Sequence, residues 1–264
     1  MAHAGAGMSV QGGLLDRLFA WMPALEPASR RRERLLSAPF PEAWEARLRA
    51  DVPFWRRWAE QTRADARPMV HAFVHEQRWH GASGMVLTED HKVVIAACAV
   101  RPALRLGLGI YDGIAEIVVY PHERLTVPEH GDHVLGVAHP HGVIVLSWPA
   151  VRRGLASPDD GQDTALHEFV HALDLADGQM DGTPPLRSAR DLDPWTDTIA
   201  RRLARVRRGQ DTTLDPYAGT NEAELFAVAS EHFFERPREL RRRVPDLYDH
   251  LARFYGQDPA DGEH

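Results

Sequence analysis

The segment around His167-Glu168-Phe169-Val170-His171 must fold as a helix with two chemically different faces. Histidines four residues apart sit one above the other on a helix. Both imidazoles can then reach one ion, and zinc, which takes nitrogen ligands in a tetrahedral set, suits them. Glu168, next to the first histidine, is placed to take a proton from a water activated at that ion. Asp163 or Thr164 can cap the helix start, and Gly178 stands where a left-handed stop is expected. Leu166, Phe169, Val170 and Leu173 repeat at i, i+3, i+4, i+7 and define a buried stripe. His167, His171 and Asp174 share another face. Asp174 is either an acceptor that orients a ligand imidazole or a solvated acid near the helix end. The pattern points to a zinc hydrolase, with a peptidase as the first reading.

Composition narrows the setting. At 264 residues the chain can bury a full core, and a net charge of -7 gives no bulk attraction to nucleic acid. Lys92 is the sole lysine among 31 basic residues, a bias of composition rather than of chemistry. The single cysteine, Cys98, rules out an intrachain disulfide and lies in an apolar run where a buried, inert thiol is expected. Asp16 and Arg17 interrupt the apolar stretch near the start, and no run is long enough to span a membrane. A soluble, cytoplasmic protein is the expectation.

The order of patterns predicts an α+β fold. Residues 1–12 are small and Gly-rich and are expected to be disordered, with an amphipathic helix at Leu14–Leu25. Residues 13–80 read as a helical N-terminal part broken at Pro53 and Pro68. The basic run Arg30-Arg31-Arg32-Glu33-Arg34 reads as a solvated helix face. Residues 81–255 read as the core and 256–264 as a tail. Within the core, Ile114–Tyr120 and Gly142–Trp148 read as strands, stopped by Pro121 and Pro149, and the motif helix follows. If the second strand is a sheet edge, an extended peptide can pair with it. His139 and His141 either border the resulting cleft or face solvent.

Two histidines do not close a catalytic zinc site, which needs a third protein ligand. Asp174 and Asp177 occupy positions where a longer histidine pattern would need glycine and histidine. A glutamate on a second helix is the other solution, and the segment beginning Tyr217-Ala218-Gly219-Thr220-Asn221-Glu222-Ala223-Glu224 offers two. Glu222 and Glu224 point to nearly opposite sides of a helix, so one at most faces the metal, and periodicity does not choose. Glu224 is equally readable as a first-turn acid that reciprocates an Asn221 cap. Glu231, two turns later, is either a partner to a ligand histidine or a surface acid.

The stretches His167–Asp174 and Tyr217–Pro237, with Pro41-Glu42-Ala43-Trp44, Val145-Leu146-Ser147-Trp148 and Gly182-Thr183-Pro184-Pro185-Leu186, resemble the Mlc titration factor A family of zinc metallopeptidases. The second stretch also resembles the catalytic domain of anthrax lethal factor. The resemblance spans about Arg30 to Pro259. It implies a zincin-like metallopeptidase domain with a small mixed sheet and one zinc ion. By position it implies His167, His171 and Glu224 as zinc ligands, Glu168 as general base and Tyr217 as support for an oxyanion. Glu222 departs from the family form, which has proline there. Two functions follow as expectations. One is an aminopeptidase-like zinc peptidase acting on short peptides. The other is a regulatory protein that sequesters a transcriptional repressor of sugar uptake of the Mlc type.

Overall fold

A computed structural model describes residues 27–123, 125–126, 133–134, 136–139 and 142–262. The expected disordered start, the helix at Leu14–Leu25 and His141 lie outside the described residues, as does the side chain of His139. Four helices open the described chain: α1 (Ala28–Leu36), α2 (Glu42–Asp51), α3 (Pro53–Arg57) and α4 (Glu60–Glu76). Strand β1 (Trp79–Gly81) and helix α5 (Glu89–Ala103) follow. Then come β2 (Glu116–Tyr120), β3 (Leu125–Thr126), β4 (His133–Val134), β5 (Gly136–His139) and β6 (Val143–Ser147). Helices α6 (Trp148–Ala156), α7 (Thr164–Asp174), α8 (Leu192–Arg207), α9 (Glu222–Glu235), α10 (Pro237–Arg243) and α11 (Pro245–Tyr255) complete it.

The sheet is mixed, in the order β1-β2-β6-β5. β1, β2 and β6 run parallel, with Ile117 beside Ile144 and Val119 beside Leu146. β5 pairs antiparallel to β6, Gly136 opposite Leu146 and His139 opposite Val143. The strand before the motif is therefore not the edge. β6 is internal, flanked on both sides, and β5 is the terminal strand. β3 and β4 form a separate antiparallel pair.

Two proline readings are corrected. Pro68 lies inside α4 and does not break it, because Val70, Ala72 and Phe73 bury the following turn and outweigh the lost backbone bond. Pro149 does not simply end β6. It occupies the first turn of α6, where a missing N–H costs nothing, and the Ser147 hydroxyl accepts from Ala150 N as cap. The predicted helix up to His80 stops at Glu76, and Trp79–Gly81 extends instead to pair with β2.

The core is built around α5, α7 and α9. Every residue of α5 from Val93 to Ala103 is buried, Cys98 included. α7 packs on β5 and β6 on one side and on α5 and α9 on the other. Its predicted stripe is confirmed, with Leu166, Phe169, Val170 and Leu173 fully buried. The Phe169 ring meets Phe73 and Tyr111 edge-on, each at 5.7 Å. The basic run forms α1, where Arg32 bridges Glu76 and Asp112. Among the described residues no helix is long and apolar enough to cross a membrane.

Phe169 joins the motif helix to the N-terminal helices, so its truncation tests the packing. Phe169→Ala should cost about 3–5 kcal/mol in urea unfolding. A loss under about 1 kcal/mol would mean that this contact does not hold α7.

Candidate metal centre

α7 begins and ends as its residues dictate. The Asp163 carboxylate accepts from Leu166 N at 3.0 Å, capping the helix. A single 3-10 turn follows Asp174, and Gly178 closes it at φ +95°. α9 starts at Asn221, whose side-chain oxygen accepts from Glu224 N at 2.9 Å. Glu224 does not reciprocate that cap with its carboxylate, which turns toward α7.

His167, His171 and Glu224 converge. The two Nε2 atoms lie 3.1 Å apart, and Glu224 Oε2 lies 3.1 Å from His167 Nε2 and 3.4 Å from His171 Nε2. A tetrahedron with metal–ligand bonds of about 2.0–2.1 Å has edges of roughly 3.3 Å. The three donor atoms therefore already form one face of such a tetrahedron, and the cluster could hold a metal ion. Glu222 is exposed and outside this cluster, so the ambiguity between the two acids falls to Glu224.

A carboxylate fixes His167 from behind. Glu231 Oε2 is 3.2 Å from His167 Nδ1, and Glu231 Oε1 accepts from Asp163 N at 2.8 Å. Glu231 is thus a buried partner of the imidazole rather than a surface acid. One turn on, Glu235 Oε2 accepts from Gly161 N at 2.8 Å. Gly161 has φ +81°, and a Cβ there would come 2.9 Å from the His232 ring. α9 therefore clamps the residues that lead into α7. Sequence reasoning missed Glu235 and Gly161, because only the pairing of α9 with that loop reveals them.

The electrostatics favour a cation. Burial alone would lower the His167 pKa, but Glu231, Glu224 and Glu168 overcome it and hold it well above the ordinary value. Burial would raise Glu224, yet hydrogen bonds from His167 and His171 hold its carboxyl far below the usual range. Glu168, 5% exposed, is raised by burial, with partial relief from the two histidines. Glu168 packs against the edge strand: a Cβ on Gly136 would come 2.5 Å from its Oε1. Tyr217 lies in a short turn, Pro216–Gly219, with its ring centroid 6.2 Å from that of His167. It is 54% exposed. Burial first, then the Glu224 charge, pushes its pKa up to about 12. Asp174 is fully buried and accepts from Gly182 N at 2.8 Å, so it is not a solvated acid. Burial pushes it up to about 7.

Glu235 supplies a pH test of this frame. Burial, then neighbouring Asp163, pushes it up to about 8. The folded protein keeps this carboxyl protonated, while the unfolded chain ionises near about pH 4.3. The cost to the fold is absent below that pH, grows above it and is complete above the folded value. Glu235→Gln keeps an oxygen for Gly161 N–H and removes the titration. Urea unfolding should show the variant gaining on the wild type as pH rises from about 4 to about 8. A difference independent of pH would contradict this.

Comparison with known proteins agrees with this geometry. Residues 27–256 match the model of the glucose-regulated metallo-peptidase M90 family. An uncharacterised protein of Synechocystis sp. is 32% identical over 244 residues, covering 87% of this chain and 89% of that protein. Mlc titration factor A of Serratia proteamaculans is 34% identical over 194 residues, 67% of this chain and 72% of its own. Mlc titration factor A of Pectobacterium atrosepticum is 30% identical over 236 residues, 83% and 87% of the two chains. The chain belongs to the glucose-regulated metallo-peptidase M90 family.

Proposed function

We propose that this chain is a zinc-dependent, aminopeptidase-like metallopeptidase in which His167, His171 and Glu224 hold the ion. The observation that carries the reading is the triangle of donor atoms at 3.1, 3.1 and 3.4 Å, with a buried carboxyl beside it on the same helix. Zinc bound there supplies Lewis acidity, which lowers the pKa of a nearby water and polarises a scissile carbonyl.

The residues of the chain do the rest. Glu168 takes the proton of the attacking water and returns it to the leaving amine. Burial raises its pKa above the ordinary carboxylate value, which is the direction that favours return of the proton to the leaving group. Tyr217, half exposed beside the His167 ring, turns its hydroxyl to the oxyanion as charge develops there. Among the described residues β5 is one of the two terminal strands of the sheet, and Glu168 packs on its first residue, Gly136. An extended peptide adding to β5 by backbone hydrogen bonds would run past the general base.

The second reading is regulatory. Relatives 30–34% identical are named Mlc titration factor A, a name that describes titration of Mlc. Sequestration of an Mlc-type repressor by this chain would use its surface and not its proton chemistry. A buried Glu168 next to the donor cluster favours retained chemistry, because binding alone does not need a general base.

Glu168→Gln decides between the two. Against a panel of chromogenic aminoacyl substrates, the zinc-loaded variant should keep its metal and lose about 10²–10⁴-fold in rate. Equal, negligible rates in both proteins would shift the function to repressor binding. Gly136→Ala displaces Glu168 without changing any ligand. It should retain zinc and lose about 10²-fold in kcat, the scale expected for a misplacement near 1 Å. Unchanged kcat would remove Glu168 from the reaction.

A further inference from the structure

The two histidines of the cluster are not held alike. His167 has Glu231 behind its ring, 3.2 Å from Nδ1. His171 has no such support, for its Nδ1 is buried and makes no hydrogen bond. An imidazole that gives Nε2 to a cation carries its proton on Nδ1, and a buried N–H without an acceptor is costly. Ligand histidines almost always find a carboxylate, carbonyl or water for that proton.

The matching acceptor lies three residues along the same helix. Asp174 Oδ1 is also buried and also without a hydrogen bond. Among the described residues these are the two such atoms on α7. Asp174 itself is clamped: its Oδ2 accepts from Gly182 N at 2.8 Å, and Gly182 O accepts from Trp195 Nε1 at 2.8 Å. Gly182 is irreplaceable in that clamp. It has φ +78°, and a Cβ would come 2.4 Å from the Glu222 carbonyl oxygen. One donor and one acceptor, each buried and each unsatisfied, therefore stand on one face, with the acceptor locked by a loop.

We propose that Asp174 is the positioning residue for His171, its Oδ1 accepting the Nδ1–H through a single bridging water, as Glu231 serves His167 directly. This rests on the zinc reading of the same site. It makes the cluster symmetric: each ligand imidazole is aimed by its own buried carboxylate, one from α9 and one from α7. It also ties the loop at Gly182 to the metal, because moving that loop moves the acceptor.

Asp174→Asn tests this. The variant keeps an oxygen for Gly182 N–H and loses the charge facing His171. Zinc affinity, read by competition with a chromogenic chelator, should fall about tenfold or more. In 15N-labelled, zinc-loaded wild type, the His171 Nδ1–H should be protected from exchange and shifted downfield, and the variant should lose that signature. Wild-type zinc affinity with an unchanged His171 resonance in the variant would overturn the proposal and leave Asp174 as an anchor for the loop. Should the variant not fold, the wild-type spectrum decides: a His171 Nδ1–H exchanging as fast as an exposed imidazole refutes it. A wild type that binds no zinc would overturn the underlying reading of the site, and is distinguishable from both.

Discussion

The carboxylate of Glu231 holds the centre together. One oxygen accepts from the backbone at Asp163, where α7 begins, and the other lies against His167 Nδ1. A buried carboxylate is tolerated only when its oxygens are satisfied, and here both are. The consequence is geometric. α9 is registered on α7 at His167, and Glu224, two turns earlier on α9, arrives at both histidines. Glu235 repeats the device one turn later, on Gly161. Two packed helices with three such ties leave the donor atoms little room to drift.

The same frame stores electrostatic tension. Glu168, Glu224, Glu231, Asp163 and Glu235 crowd into one region, opposed by two imidazoles and the buried guanidinium of Arg101. Arg101 is fixed over the Phe54 ring at 4.5 Å and donates to the Phe234 carbonyl at 2.6 Å. Burial raises Asp163, Glu168 and Glu235, and Glu235, at about 8, sheds its charge by protonation. A divalent cation would relieve the rest. A stable fold alone has no need of so many acids at two histidines, and their placement supports the proposed metal site.

How much of this the sequence discloses varies with how local each signal is. α7 is readable because its caps, its apolar stripe and its histidine face all lie within one short window. β2 and β6 are readable from their β-branched runs. α9 is different: it is buried on nearly every side, so its apolar residues have no single face and cannot say which glutamate points at α7. Resemblance to a family pointed to Glu224, and in the structure Glu224 converges with His167 and His171. Strand β1 is three residues long and takes its form from pairing with β2. The edge position of β5, the contact of Gly136 with Glu168 and the clamp at Gly161 are properties of chain packing that no window of sequence contains. Pro68 and Pro149 show the reverse case, where a strong local rule yields to tertiary packing or to a capped first turn.

On the proposed reading, two nitrogens and one carboxylate oxygen from this chain hold a single zinc ion. X-ray absorption at the zinc edge, with metal stoichiometry on the wild type and on Glu224→Gln, measures it most directly. One zinc per chain is expected, with a first coordination sphere of nitrogen and oxygen that includes two imidazoles, and a weakened or lost ion in the variant. A wild type that retains no zinc, or whose zinc has an unchanged sphere and affinity when Glu224 is replaced, would contradict it.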